Sequence, residues 1–260
     1  MISSAVRVTV VALTLVSASA GTSGARPPVA LTASPAQVAL VGAARATVRV
    51  TNSGASQVIV DVSRAGFALD LRGRPKIVGR GGGARSAVGW LTLRPRSLAL
   101  TPGGSASVMI ASTVPTHAEP GDHDALVLFT TRRRAKDGVA VRMRMGIVTV
   151  VRAPGMVVRK LELLRVRVVR SGRVLTLELV VANRGNVTES FGRAHATLSL
   201  HRRGRRIARL TAGPRELRPR TRGILQFRYR GAQRGWAIAH VEVSPDSSER
   251  VVRRAFRIRL

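Results

Sequence analysis

The chain of 260 residues holds one dense group of side chains able to bind a metal or move a proton. These are His117, Glu119, Asp122, His123 and Asp124 in "HAEPGDHD". A zinc or manganese centre needs three or four such ligands converging on one point, with hydrogen-bond partners behind them. The spacing works against that. The segment reads as a turn running into a strand, so His123 and Asp124 point to opposite faces. The five are therefore read as solvated loop residues, and no metal is assigned.

Nucleophilic chemistry fares no better. The chain has no Cys, which removes thiolate nucleophiles, thiolate metal sites and disulfides. Ser, His and Asp are present, as in most chains, but no Gly-x-Ser-x-Gly elbow presents a serine. "GRGGGA" (79–84) is glycine-rich yet lacks the Lys-Ser/Thr of a phosphate loop, and no helical pattern follows it. No paired carboxylates suit a cleft. Asn186-Val187-Thr188 matches the glycosylation acceptor pattern and is read as a polar turn. The sequence thus predicts no enzyme, no catalytic residue and no cofactor.

Arginine is the remaining chemistry. Lys and Arg number 44 against 13 acids, a formal net charge of +31, and only Lys76, Lys136 and Lys160 are lysines. "RRRAK" (132–136), with Arg132, Arg133 and Arg134, reads as a hairpin tip closing at Asp137-Gly138. "HRRGRR" (201–206), with Arg202, Arg203, Arg205 and Arg206, reads as another, and "RPRTR" (218–222) as a corner. Guanidinium forks bind phosphate and carboxylate bidentately. These seven arginines are the candidate anion contacts, set against ordinary solubilising charge on loops. Anionic polymers are the expected partners. Nucleic acid is disfavoured, because the chain reads as exported and aromatics are only 3%, leaving no stacking platform.

The elements that position these residues are strands. "ATVRV" (46–50), "QVIVDV" (57–62), "SASVMIA" (105–111), "VAVRMRMGIVTV" (139–150), "VLTLELVV" (174–181) and "AFRIRL" (255–260) alternate with a period near two. "RKLELLRVRVV" (159–169) has helical composition, but its Val content and alternation favour strand. Short strands between Gly, Pro and Asn turns indicate sandwiches. The turn signals recur. "VTNSGAS" (50–56) is followed by "LALTPGGSASVMI" (98–110) and "EPGDHDALVLF" (119–129). "VANRGNV" (181–187) is followed by "ELRPRTRGILQFRY" (216–229) and "QRGWAIAHVEV" (233–243). "RAGFALDLRGRPKIVGRGGGARSAVGW" (64–90) is a hairpin-like insertion peculiar to the first half. "VRAPGMV" (151–157) divides the halves. The fold class is therefore all-β, with two tandem immunoglobulin-like β-sandwiches at 29–153 and 156–260. Before them, residues 1–25 read as a signal peptide, with Arg7, the apolar run "VTVVALTLV" (8–16) and Ala18-Ser19-Ala20. That run is too short to span a bilayer, which needs about 20 residues. The mature protein is expected to be exported and free of transmembrane spans.

Residues 29–150 resemble the peptidoglycan-binding domain of WxL-associated surface proteins and, more loosely, the N-terminal domain of pilus-assembly chaperones. The resemblance is carried by "SPAQVAL…ATVRVTNSG", "WLTLRPRSLALTPGGSASVMIASTVP", "AEPGDHDALVLF" and "VAVRMRMGIVTV". The second half occupies the place of the partner-binding second sandwich in those proteins. The resemblance implies a non-enzymatic protein of the bacterial cell surface, binding cell-wall polymer or a surface protein. Its alternative is a periplasmic-type chaperone that pairs an edge strand with a subunit. A protein that binds extracellular polyanions is the reading that rests on charge alone.

Overall fold

The computed structural model describes residues 27, 29–78, 83, 85–132, 134–136, 139–172, 174–246 and 250–260. The predicted signal segment, Arg133 and Asp137-Gly138 lie outside them. The chain divides into two compact units. One takes the chain up to Ala68 together with Ile77–Glu119 and His123–Pro154, and the other takes Leu69–Lys76, Pro120–Asp122 and Gly155–Leu260. Both are all-β and immunoglobulin-like. Among the described residues there is no α-helix, and Val88–Trp90 forms a single 3-10 turn.

The first half of the chain carries β1 (Leu31–Ser34), β2 (Gln37–Val41), β3 (Arg45–Asn52), β4 (Val58–Ala65), β5 (Phe67–Leu69) and β6 (Pro75–Ile77). It continues with β7 (Leu91–Arg94), β8 (Ser97–Leu100), β9 (Ser105–Ser112), β10 (Gly121–Thr131), β11 (Arg134–Lys136), β12 (Val139–Val141) and β13 (Arg144–Ala153). One sheet runs β1-β3-β9-β7 and the other β2-β13-β10-β4-β8. The chain changes sheets between β1 and β2, since β1 pairs antiparallel with β3 while β2 pairs parallel with β13. Alternation builds the core. On β3, Val48 and Val50 are fully buried while Thr47 and Arg49 face water, and on β9 Val108 and Ile110 do the same. Each such side chain contributes about 1.5–3 kcal/mol by leaving water. β10 is buried along nearly its whole length. Its second face is covered by a satellite cluster in which Phe67 and Val148 pack on Ala65, Leu126 and Leu128. Within the predicted insertion at 64–90, β5 and β6 pair as a hairpin, and residues 79–82 and 84 of its Gly-rich loop lie outside the described residues.

The second half carries β14 (Leu161–Ser171), β15 (Val174–Asn183), β16 (Glu189–Phe191), β17 (Ala196–Arg202), β18 (Arg205–Thr211), β19 (Arg215–Leu217), β20 (Arg222–Tyr229), β21 (Trp236–Val243) and β22 (Val252–Arg259). The sheets run β14-β15-β20 and β18-β17-β21-β22, with the short pair β16-β19. Leu177, Leu179, Leu198, Leu200, Phe227 and Val241 fill the space between them. The segment of helical composition is β14, as its Val content predicts.

One expectation needs correction. Asp122 and His123 are not solvated. They open β10 and are 1% and 3% exposed. Asp122 accepts a hydrogen bond from the Thr188 N–H at 2.7 Å, while His123 donates from Nε2 to the Glu119 carbonyl at 2.8 Å and packs on Trp90. Adjacent residues on a strand turn to opposite faces, so the two are held apart by their neighbours. Asn186, read as part of a polar turn, is a bend residue only 8% exposed. Its amide donates to the carbonyls of Pro120 and Met156 at 3.1 and 2.8 Å, and its Oδ1 accepts from the Val158 N–H at 2.7 Å. Among the described residues no group of three or more His, Cys, Asp or Glu could hold a metal ion.

Candidate functional site

The strand "RMGIVTVVRA" (β13) turns Met145, Ile147, Thr149 and Val151 to one face and Arg144, Gly146, Val148 and Val150 to the other, where Arg144 and Gly146 are exposed and Val148 and Val150 are covered. Ile147 and Val151 are core residues, and Met143 and Met145 pack against the same core while remaining half-exposed. Gly146 leaves its outer face to the Leu126 and Leu128 side chains, since a Cβ there would meet Leu128 Cδ2 at 3.3 Å.

β13 lies between β10 and β2, but β2 is too short to cover it. Their parallel register begins at Val148↔Gln37 and ends at Arg152↔Val41. Residues 144–147 extend beyond that pairing. Among the described residues no strand pairs with them on the side that β2 covers further along. On the other side the arm is clamped to β10. The Thr131 N–H donates to the Met143 carbonyl at 2.9 Å, and the Met143 N–H donates to Thr131 Oγ1 at 2.9 Å. Past this clamp β11 and β12 continue the arm as an antiparallel pair, Arg134↔Val141 to Lys136↔Val139. Among the described residues the result is an open strand edge, backed by methionines at the margin of a core. Such an edge offers unpaired N–H and C=O groups to another chain, and alternate side chains set what fits beside it.

The predicted basic residues are scattered by comparison. Arg132 is held by Asp61 through bonds of 2.8, 3.0 and 3.1 Å. This hydrogen-bonded pair holds the Asp61 carboxyl below its ordinary value and raises the Arg132 guanidinium. Arg134 lies on β11. Arg202, Arg203, Arg205 and Arg206 do form a hairpin tip. β17 and β18 meet at Arg203-Gly204, both with positive φ (47° and 76°), the geometry of a two-residue hairpin turn. There Arg202 donates to Gln233 Oε1 at 2.6 Å, and the other three are exposed. Arg218, predicted at a corner, is only 5% exposed and reaches the Thr188 hydroxyl at 3.4 Å.

Sequence reasoning recognised β13 as an alternating strand but missed its open edge. The Met-x-Met pattern at 143–145 was the available signal. It also missed Glu178, a carboxylate 1% exposed on β15. Burial pushes this group up, but hydrogen bonds from Arg167 and Gln226 at 2.9 and 3.1 Å, with the Arg72 and Arg167 charges, outweigh burial and hold it below its ordinary value.

Neither a scan of protein families nor a search of curated proteins finds a match. Solved structures do match in shape. The class 5 fimbriae chaperone CfaA aligns with a TM-score of 0.50 at 11% identity, covering 87% of this chain and 98% of its own. A chain from a chaperone–tip adhesin complex of CFA/I fimbriae biogenesis aligns with the same TM-score, identity and coverage. This chain has a fold similar to that of the fimbrial chaperones. The looser of the two resemblances in the sequence is therefore the one that shape supports, and nothing in these comparisons supports the WxL-associated family. Among the described residues no helix is long and apolar enough to cross a membrane.

Proposed function

We propose that the protein is an exported, non-enzymatic chaperone of the pilus or surface-subunit type, which holds a subunit by pairing one of its strands with the open edge of β13. The observation that carries this reading is residues 144–147, which no strand among the described residues pairs on one side and which Met143, Met145 and Ile147 back. An added strand satisfies the edge's backbone groups, and its own alternate side chains extend the layer that the methionines begin. Methionine suits the role, because its unbranched thioether adapts to varied neighbours. The similarity in shape to a fimbriae chaperone supports the same reading. Cell-wall polymer, the other partner implied by the sequence, has no counterpart in the comparisons.

The test co-expresses the protein with the exported surface subunits of its own cell and isolates the complex. Met143→Asp with Met145→Asp puts charge on the half-exposed part of the edge and spares the buried Ile147. Loss of the subunit from a protein that keeps its β spectrum is the expected result. A variant that retains the subunit undiminished contradicts edge pairing.

A further inference from the structure

The second unit carries an unrelated surface. Its sheet β18-β17-β21-β22 turns Leu198, Leu200, Ala239 and Val241 into the core, and its other face meets solvent. On that face β21 exposes Trp236 and Ile238, at 56% and 46%. Residues paired across antiparallel strands share a face. Trp236 stands opposite Arg259, and Ile238 is flanked by Arg257 on one side and His201 on the other. His201 in turn stands opposite Arg206. The Arg257 guanidinium lies 4.5 Å over the Trp236 ring. The Arg203-Gly204 turn closes the hairpin just past His201.

Charge is distributed unevenly along this sheet. Its four strands contain one acid, Glu242, and that residue lies toward the far end of β21, bound to Arg253 at 2.8 Å. Around Trp236, Arg203, Arg206, Arg257 and Arg259 take part in no ion pair among the described residues. Two exposed apolar side chains thus lie among guanidinium groups that no acid neutralises among the described residues. Elsewhere on the face stand Thr197, Ser199, Arg209 and His240 with the Glu242–Arg253 pair, and Trp236 and Ile238 are the exposed large apolar side chains of these strands.

We propose that the Trp236 end of this sheet docks the protein peripherally on an anionic lipid bilayer. Trp236 and Ile238 enter the boundary between headgroups and acyl chains, where amphipathic rings are favoured. The surrounding arginines meet lipid phosphates. A soluble polyanion matches the charge but offers no apolar phase to receive Ile238, so a lipid surface fits both features. Each arginine near an anionic leaflet strengthens binding by about fivefold.

The test mixes the full chain with vesicles of phosphatidylcholine, alone or mixed with phosphatidylglycerol, and reads co-sedimentation and tryptophan emission. The difference from Trp236→Phe isolates Trp236 from Trp90. Binding is expected to the anionic vesicles, with a blue shift in the Trp236 signal. Trp236→Ser with Ile238→Ser should weaken it roughly tenfold, and Arg257→Ser with Arg259→Ser by more than tenfold. Arg203→Ser, in an exposed turn, should weaken it about fivefold with no risk to the strands. Vesicle binding without a change in the Trp236 signal overturns the proposal. So does binding to soluble polyphosphate that equals binding to vesicles and is equally weakened by Trp236→Ser with Ile238→Ser, or failure to bind anionic vesicles at all.

Discussion

Asn52 and Asn183 close equivalent turns, one in each unit. Both are fully buried. The Asn52 amide donates to the Ser56 carbonyl at 2.8 Å and to the Leu100 carbonyl at 3.2 Å, and its Oδ1 accepts from the Gly54 N–H at 3.0 Å. The Asn183 amide donates to the Val187 carbonyl at 2.8 Å and to the Leu217 carbonyl at 3.0 Å, and its Oδ1 accepts from the Gly185 N–H at 2.9 Å. Each side chain satisfies backbone groups of its own turn and of a second, distant one.

Either asparagine changed to Ala strands a buried N–H and two carbonyls. Each substitution should cost about 1–3 kcal/mol, measured by urea unfolding. Asn→Asp at either place removes the donating amide and should be at least as damaging.

Gly121 sits at φ +106°, and a Cβ there would collide with the Asn186 carbonyl. Gly121→Ala should therefore destabilise by more than the roughly 1 kcal/mol typical of a left-handed position. A thermal melt that matches the parent protein would contradict the close approach.

Glu178 gives a pH dependence. Its carboxyl is held below the ordinary value in the folded protein, so below about pH 4.5 the unfolded chain takes up its proton first. The stabilisation is present above that range and is lost as pH falls through the lowered value. Glu178→Gln should flatten the acid limb of a stability–pH curve. An unchanged acid limb would show that the Arg167 contact does not hold the carboxyl down.

Arg132 and Arg203 should differ as anion contacts. Arg132 is already neutralised by Asp61, while Arg203 is exposed and in no ion pair among the described residues. Arg203→Ser should elute from a phosphate-bearing resin at lower salt than the parent, and Arg132→Ser should shift less. The exposed pair itself contributes about 0–1 kcal/mol, so neither variant should lose its fold.

The local parts of this architecture could be read in the sequence. The Asn-x-Gly turns recur because each fold unit needs the same buried amide at the same corner, and the alternation of "ATVRV" matches the burial of Val48 and Val50. What escaped depends on long-range pairing. Nothing near Asp122 announces Thr188, which lies 66 residues away, and nothing near Met145 announces that β2 stops pairing at Gln37. Arg132 looked free because its partner, Asp61, lies 71 residues earlier.

The absence of cysteine permits the most direct measurement of the central claim. Arg144→Cys places the only thiol on the exposed outer edge of β13, and Ser107→Cys places it on the exposed face of β9, which lies between β3 and β7. Each is treated with a short thiol cross-linker in a complex with a co-expressed surface subunit. Edge pairing predicts that position 144 joins to a strand of the subunit and position 107 does not. A subunit that joins at 107 and not at 144 would contradict it.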